Sequence, residues 1–474
     1  MAFIYSVEDE IIAFNGLCSS KWRRLYGSLS GVMSLSSPLM VCCGKADETY
    51  ETAEYYNQTR GSLPAPRFDA SKAWPFGLPG TESEYPAAQI KAAAKIAKTS
   101  REHCEDKPIF FAVAPTFSNY IPIVPYSSLN NETVALTNRA LKETPLEDPA
   151  AWDVVLKHGK TLLKDFEEIP ETGETGFTEW VSSYPPVRRR QFLAAWETLK
   201  DKDICPDDFV RSMFNKKEIT MKGGPDLQPF KPRAIQGGTD RINAAYGPFI
   251  SKFSKQLAKH WNSENHIYYT CGSTAEEVGA WRGQSSDRPV TIIEVDMTDY
   301  DGSQGAGAYQ LGHQSYVKCG IRNHPHASAA EHSMKRVKGY SAHGIKYSTD
   351  YTMTSGSQDT SCRNSLTNGC TMDSFFVNHT IIVDGKLHQP YASFDRRMAL
   401  HGDDNIVVIE GTVGLDTCNE LKIAMMDYYK TLGMTAKVKI SYNWHEVEFC
   451  SSLFWPVDGG FVMGPKIGKR LPKI

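Results

Sequence analysis

The sequence predicts an α+β protein in which helices back an antiparallel sheet. From about residue 291 the chain reads strand, helix, hairpin, helix and strand in turn, an order that segregates helices onto one face of a sheet. The run 398–409, Met-Ala-Leu-His-Gly-Asp-Asp-Asn-Ile-Val-Val-Ile, passes from an apolar segment through a tight acidic turn into a β-branched segment. That is the pattern of a hairpin.

Composition sets the bounds. The chain has 474 residues, of which 41% are hydrophobic and 23% charged, an ordinary globular make-up with length for more than one domain. Its net charge of −3 means that any positive surface for a nucleic acid must be concentrated locally. The eleven cysteines are odd in number and form no C-x-x-C pair, and no N-terminal signal peptide is evident. Reduced thiols in a cytosolic setting follow. Residues 28–43 are mildly apolar but Ser-rich and too short to span a bilayer, so they read as loop and core, and no transmembrane segment is expected. His313, Cys319, His324, His326 and His332 match none of the paired spacings of zinc sites and read as a polar surface region.

Taken in order, 57–90 is rich in Pro, Gly and Ser and reads as an irregular connector. Helical patterns follow at 87–99 and 147–167, then a short β-branched strand at 291–297. Residues 359–377 read as a helix and 391–410 as the acidic hairpin. A further helix is expected to start with Thr417 and Glu420 in capping-box spacing, to carry Leu421, Met425, Tyr428 and Leu432 on one face, and to stop at Gly433.

Four features carry chemistry. Asp403 and Asp404 at a hairpin tip suit a divalent cation, because Mg²⁺ takes oxygen ligands and shares them with substrate phosphates. Asp296 ends the 291–297 strand, and beside the hairpin it would complete three carboxylates able to hold two Mg²⁺ (or Mn²⁺) ions about 3.5–4 Å apart. Asp301 lies beyond a bend, while Asp299 reads as a cap or turn residue. In Ser355-Gly356-x-x-x-Thr360-x-x-x-Asn364, Ser355 and Gly356 form a flexible loop feeding a helix. Thr360 and Asn364 share one face of that helix and can bond a ribose hydroxyl. The fourth feature is basic: Lys216, Lys217, Lys222, Lys231, Arg233 and Arg241, with Arg188, Arg189 and Arg190 upstream. Such groups are what a triphosphate needs.

In this order the motifs resemble the right-hand RNA-dependent RNA polymerases of positive-strand RNA viruses. D-x4-D at 296–301 is similar to their motif A, S-G-x3-T-x3-N at 355–364 to motif B, and G-D-D at 402–404 to motif C. The segments 184–190, 213–218 and 231–236 look most like the tombusvirus-like and nodavirus-like group. The resemblance covers about 170–465; residues 1–150 carry no motif.

The resemblance implies a hand of fingers (151–290, holding the basic NTP-facing segment), palm (291–450, with a fingers insertion at about 306–345) and a short thumb from 451, with 1–150 as an N-terminal fingers extension. It implies that Asp296 and Asp403 bind both metals and that Asp404 assists. Asp301 and Asn364 would check the ribose 2′-hydroxyl, supported by Ser355, Gly356 and Thr360. Lys231 and Arg233 would hold the triphosphate with Lys217 nearby, and Lys437 or Lys439 would protonate the leaving pyrophosphate. Residues 448–452 resemble the motif E turn that grips the priming strand. Asn405 follows the Gly-Asp-Asp at a position that varies among such enzymes. Only 24 residues follow Cys450 (474 − 450), so the thumb is expected to be truncated, supplied by the N-terminal region or carried on another chain. The implied partners are single-stranded RNA template, nascent RNA, NTPs and other viral replication proteins, in a membrane-associated complex of the host cytoplasm. The competing reading is a catalytically inactive palm that binds RNA. A reverse transcriptase would place an aromatic residue ahead of the Asp pair, where this chain has His401-Gly402.

Overall fold

The computed structural model describes residues 77–466, apart from 80, 100–109, 113–119, 172, 219, 224–228, 286–287 and 384–385. The expectations for 28–43 and for 57–76 lie outside these residues. Ten strands form two five-stranded sheets among the described residues. In chain order they are Lys95–Lys98 (β1), Val210–Asn215 (β2), Ala234–Gly237 (β3), Ile267–Tyr269 (β4), Val290–Met297 (β5), Arg336–Ser341 (β6), Ile345–Asp350 (β7), Arg396–His401 (β8), Asp404–Glu410 (β9) and Ala436–Ser441 (β10). Five helices frame the site: Leu129–Ala135 (α1), Pro149–Leu162 (α2), Tyr300–Ser303 (α3), Thr360–Asn378 (α4) and Leu415–Thr431 (α5).

The central sheet has the order β10-β5-β9-β8-β4, antiparallel except where β8 meets β4. Alternation along β5 sends Ile293, Val295 and Met297 into a large core shared with α4 and α5. Val290 and Ile292 enter a second cluster with Trp281, Trp444 and Phe454. The sheet is therefore covered on both sides, not one. The second cover is the helix Ala275–Gly283 with a C-terminal hairpin, Ser452–Val457 (β11) and Gly460–Pro465 (β12). That helix lies so close to the hairpin that a Cβ on Gly279 would stand 2.0 Å from the Phe461 carbonyl oxygen.

Helices α2 and α4 form where the sequence predicts them. In α4, residues 362–376 are all buried, and most of its polar side chains find partners, although Thr367 Oγ1 and Arg363 Nε do not. Asp373 accepts from Arg396 on β8 at 2.6 Å and meets His158 on α2 at 2.9 Å.

Two expectations fail. Residues 87–99 form no helix; their last part is strand β1. Alanine favours a helix only weakly, and pairing of β1 along β7, with Ala94 packed beside Met213, Val337 and Tyr347, outweighs it. Helix α5 starts at Leu415, with Gly414 as its N-cap and no side-chain cap bond, so the Thr417–Glu420 capping box does not form. Thr417 already lies within the first turn, where its backbone is helical. The apolar face is as expected: Leu421, Met425, Tyr428 and Leu432 are buried, and Gly433 ends the helix at φ +79°.

The outer sheet has the order β1-β7-β6-β2-β3. It draws strands from both sides of β5 in sequence, with β2 and β6 parallel. Among the described residues no helix is long and apolar enough to cross a membrane, and seven cysteines are free thiols.

Candidate active site

The hairpin tip is built by one glycine and three polar side chains. His401 pairs with Asp404 across a two-residue turn, and Gly402 sits at φ +65°, a conformation that costs an L-residue energy. Helix α4 holds the turn from behind. Ser365 Oγ accepts the Gly402 N–H at 2.7 Å, and Asn368 Nδ2 donates to the Gly402 and Asp403 carbonyls, each at 3.1 Å. Asn405 is buried and reaches across to β5. It accepts from Val295 N at 3.2 Å, and its amide donates to Val295 O at 3.1 Å and to Asn368 Oδ1 at 3.2 Å. The main-chain register between β5 and β9 runs to the Ile406–Glu294 pair, and Asn405 continues it with a side chain.

That register brings Asp296 alongside Asp404, two residues beyond the last pair on each strand. Lys437 lies directly opposite Asp296 on β10, with Nζ 3.8 Å from Oδ2 and both side chains largely exposed. Lys439 points elsewhere: Nζ is 2.9 Å from Glu294 Oε2 and also donates to the Glu446 carbonyl. Asp404 keeps exposed surface, yet partial desolvation, followed by the nearby Asp403 and Asp296 charges, pushes its carboxyl up to about 6. The Cys450 thiol lies against it, in a turn where Cys450 and Ser451 both have positive φ. Burial, and then the Asp404 charge, push that thiol up.

Beside the tip opens a cavity of about 490 Å³ lined by Asp301, Ser355, Gly356, Asn364, Arg233 and Asp403, among others. Asp301 is its organised wall. Asn364 Nδ2 donates to Oδ1 at 2.6 Å and Ser355 Oγ donates to Oδ2. Gln304 Nε2 donates to Asn364 Oδ1 at 2.6 Å, which fixes which way the Asn364 amide points. Burial raises the Asp301 carboxyl, and the Ser355 and Asn364 bonds oppose the rise. Gly356 has φ +108°, and a Cβ there would stand 3.0 Å from Ile235. Thr360 lines the cavity, but its hydroxyl donates to the Thr354 and Ser357 carbonyls at 2.8 and 3.0 Å. It braces the loop and leaves Asp301 to Ser355 and Asn364.

The basic groups divide. Arg233 lines the cavity and pairs with Glu218 at 3.4 Å, while Lys217 is exposed outside it. Lys231 lies over the Tyr85 ring and 3.7 Å from Asp299. Arg241 is bound to Asp208 at 3.0 Å and Arg188 to Asp240 at 2.7 Å, so both are spent on helix packing away from the cavity. Asp299, expected as a cap, stands at the N-terminus of α3 at φ +51° with no side-chain cap bond. Its carboxylate instead gathers Arg139, Lys142 and Lys231, at 3.4, 3.4 and 3.7 Å.

Arg139 is the cavity residue that sequence reasoning missed. It lies in a π-helical turn, Leu136–Ala140, a rare geometry often found at functional sites. Gly302 presses on that turn, where a Cβ would stand 2.0 Å from the Arg139 carbonyl oxygen. Ser365 and Asn368 were missed as well. Their signal was polar residues on a helix with little exposed surface to spend them on.

Asp296, Asp403 and Asp404 share one end of the sheet, but among the described residues no three acidic, His or Cys groups close into a ready metal cage. Desolvation first, and then the neighbouring Asp403 and Asp296 charges, raise the Asp404 carboxyl, and a cation here would offset both effects.

Residues 97–474 match the family described as viral RNA-dependent RNA polymerase. The chain belongs to that family. It is 32% identical over 128 residues to a genome polyprotein of bovine viral diarrhea virus (strain SD-1), covering 26% of this chain and 3% of that protein. It is 27% identical over 173 residues to a replicase large subunit of Odontoglossum ringspot virus (isolate Singapore 1), covering 36% and 10%. To a replicase large subunit of pepper mild mottle virus (strain Spain) it is 25% identical over 244 residues, covering 50% and 15%. The chain thus spans a small part of these curated relatives. As a family member it matches from residue 97 onward, which takes in α1 and Arg139, where no motif was legible.

Proposed function

We propose that the chain carries out template-directed RNA synthesis from NTPs, by two-metal nucleotidyl transfer, in replication of a viral RNA genome. The observation that supports this most is one cavity bounded by Asp403 at its tip and by the Asp301–Asn364–Ser355 wall at its side. Asp296, Asp403 and Asp404 would hold two Mg²⁺ (or Mn²⁺) ions, which when bound neutralise charge on the attacking and leaving oxygens. Every other part is positioning. Asp301, with Asn364 and Ser355, offers bonds at the height of a ribose 2′-hydroxyl. Arg233 and Arg139 face the cavity as triphosphate groups, with Lys231 held ready by Asp299. Lys437 stands beside Asp296 while Lys439 is engaged by Glu294, which favours Lys437 as the donor of a proton to the departing pyrophosphate.

In this reading the central sheet with α4 and α5 is the palm, the outer sheet belongs to the fingers, and the 448–452 turn grips the priming strand. The tombusvirus-like and nodavirus-like assignment rests on segments 184–190, 213–218 and 231–236. Replication partners, and a host cytoplasmic complex attached to membrane through them, complete the proposal.

The test is incorporation of labelled NTP by the purified chain on single-stranded RNA with Mg²⁺ or Mn²⁺. Product lost in Asp403→Ala and Asp296→Asn is the expected result. RNA binding with no product from the unaltered chain would favour an inactive RNA-binding subunit instead.

A further inference from the structure

One face of the outer sheet is spent on the core. Met213, Val337, Ile345 and Tyr347 point inward onto Leu136, Ala140 and Leu141. On β3, Gln236 accepts from the Tyr347 hydroxyl at 2.8 Å and also lines the catalytic cavity. The opposite face is open to solvent and carries a different set of side chains, because residues alternate across a strand.

The register arranges that face in rows. Lys338 of β6 pairs with Ser348 of β7, and Ser348 with Lys95 of β1. In the next row Ser212 of β2 pairs with Tyr340, Tyr340 with Lys346, and Lys346 with Ala97. Three amines and an aromatic ring thus sit within two adjacent rows, roughly 7 Å apart by strand geometry. Lys95, Lys338 and Lys346 are exposed, and none forms an ion pair among the described residues. The acid of the neighbouring row, Asp350, is already bound by Arg336 at 2.8 Å. Tyr340 is 43% exposed and Phe214, two residues beyond Ser212 on the same face, is 47% exposed. Strand geometry puts their Cα atoms roughly 8 Å apart. A groove of about 800 Å³ runs over these rows, and none of its lining residues lines the catalytic cavity.

We propose that this outer sheet face is a second RNA-binding surface, taking single-stranded RNA outside the catalytic cavity. Charge complementarity selects the occupant. The chain as a whole carries −3, so an unneutralised cluster of three lysines is a local positive field fit for a phosphate backbone. The exposed rings add platforms on which unpaired bases stack, and stacking needs bases that a duplex keeps to itself. Arg233, directly before β3, and Gln236 on β3 line the catalytic cavity, so the sheet that carries this face also reaches the active site at its other edge. The identity of the polyanion rests on the RNA-polymerase reading; the positive aromatic face does not.

The experiment uses the full chain and fluorescence anisotropy with a labelled oligouridylate, alone and as a duplex with oligoadenylate, between about 50 and 200 mM salt. The variants are Lys95→Gln/Lys338→Gln/Lys346→Gln and, separately, Tyr340→Ala, each checked for unchanged melting temperature. The triple variant should show a log–log salt slope shallower by about 2, from roughly 0.7 for each phosphate that is no longer neutralised, with affinity reduced on the order of tenfold at low salt. Tyr340→Ala should weaken single-strand binding about tenfold and leave duplex binding unaltered. Incorporation on a template too short to reach the face should be retained in both. An unchanged salt slope in the triple variant overturns the proposal, even if the unaltered chain synthesises RNA. So does a change in its elution volume without a change in RNA affinity, which would assign the face to a protein. Equal loss of duplex and single-strand binding overturns the single-strand assignment. If the triple variant loses RNA while no form of the chain incorporates NTP, the surface stands and the polymerase reading falls.

Discussion

Asn405 does with a side chain what the sheet does with its backbone. It joins Val295 and Asn368 behind the Asp403–Asp404 tip. Asn405→Ala would leave buried partners unpaired and should cost about 2–3 kcal/mol in chemical denaturation, with incorporation falling further than stability because the tip loses its brace. Asp301→Asn should act differently. It replaces one carboxylate oxygen by an NH2, so only one of the Asn364 and Ser355 bonds can still be accepted, and discrimination between ribo- and deoxyribonucleotides should drop roughly tenfold or more while folding is kept; competition between ATP and dATP measures it. The carboxylates, the Gly402 turn and the Asp301–Asn364 pair were legible in sequence because their spacings recur together in one order, 296–301, 355–364 and 402–404. Arg139 and Asp299 were not, since an isolated Arg and a turn Asp have many ordinary uses, and only folding brings them together.

The short helix α3 and the π-turn at 136–140 touch backbone to backbone at Gly302. Gly302→Ala puts a methyl where no atom fits, and the neighbour is a carbonyl, which cannot swing away. The variant should melt lower by an amount corresponding to about 2 kcal/mol or more and show a raised KM for NTP through Arg139. Arg139→Ala should raise KM alone, and steady-state kinetics separate the two. The strand–helix–hairpin–helix–strand order was readable because its periodicities are long and its apolar stripes continuous. The Ala-rich 87–99 stretch misled for the opposite reason: alanine fits either backbone, so a distant strand at 345–350 decided its form. The capping box at Thr417 failed because the spacing is shared by any pair three apart, and Gly414 offered an earlier start.

The acidic end of the sheet should tie the stability of the chain to pH and, on the proposed function, to divalent cations. Asp404 holds its proton up to about 6 in the folded chain, whereas an unfolded Asp loses it near about 4. Between those values the folded form binds more protons, so without metal the stability falls as pH rises from about 4 to about 6 and stays lower above. Asp404→Asn should therefore melt higher than the unaltered chain at pH 7 in EDTA, and close to it at pH 4. Adding Mg²⁺ should raise the melting temperature of the unaltered chain and narrow the gap, since a ligand of the folded state alone stabilises it. Differential scanning fluorimetry reads both.

The outer sheet is stitched from segments at 95–98, 210–237 and 336–350, with strand β5, which carries Asp296, lying between the last two along the chain. Genetic exchange between related genomes meets a barrier there. A crossover anywhere from about 98 to 336 hands neighbouring strands of one sheet to different parents, and their side chains have not been selected to fit each other. A crossover between about 350 and 364 leaves the outer sheet whole but separates Asn364, and before 355 also Ser355, from Asp301, so both parents must keep these residues for the bonds to form. Viable hybrids should therefore cluster where the parents agree at these positions, so the folding pattern itself limits which lineages can trade polymerase sequence.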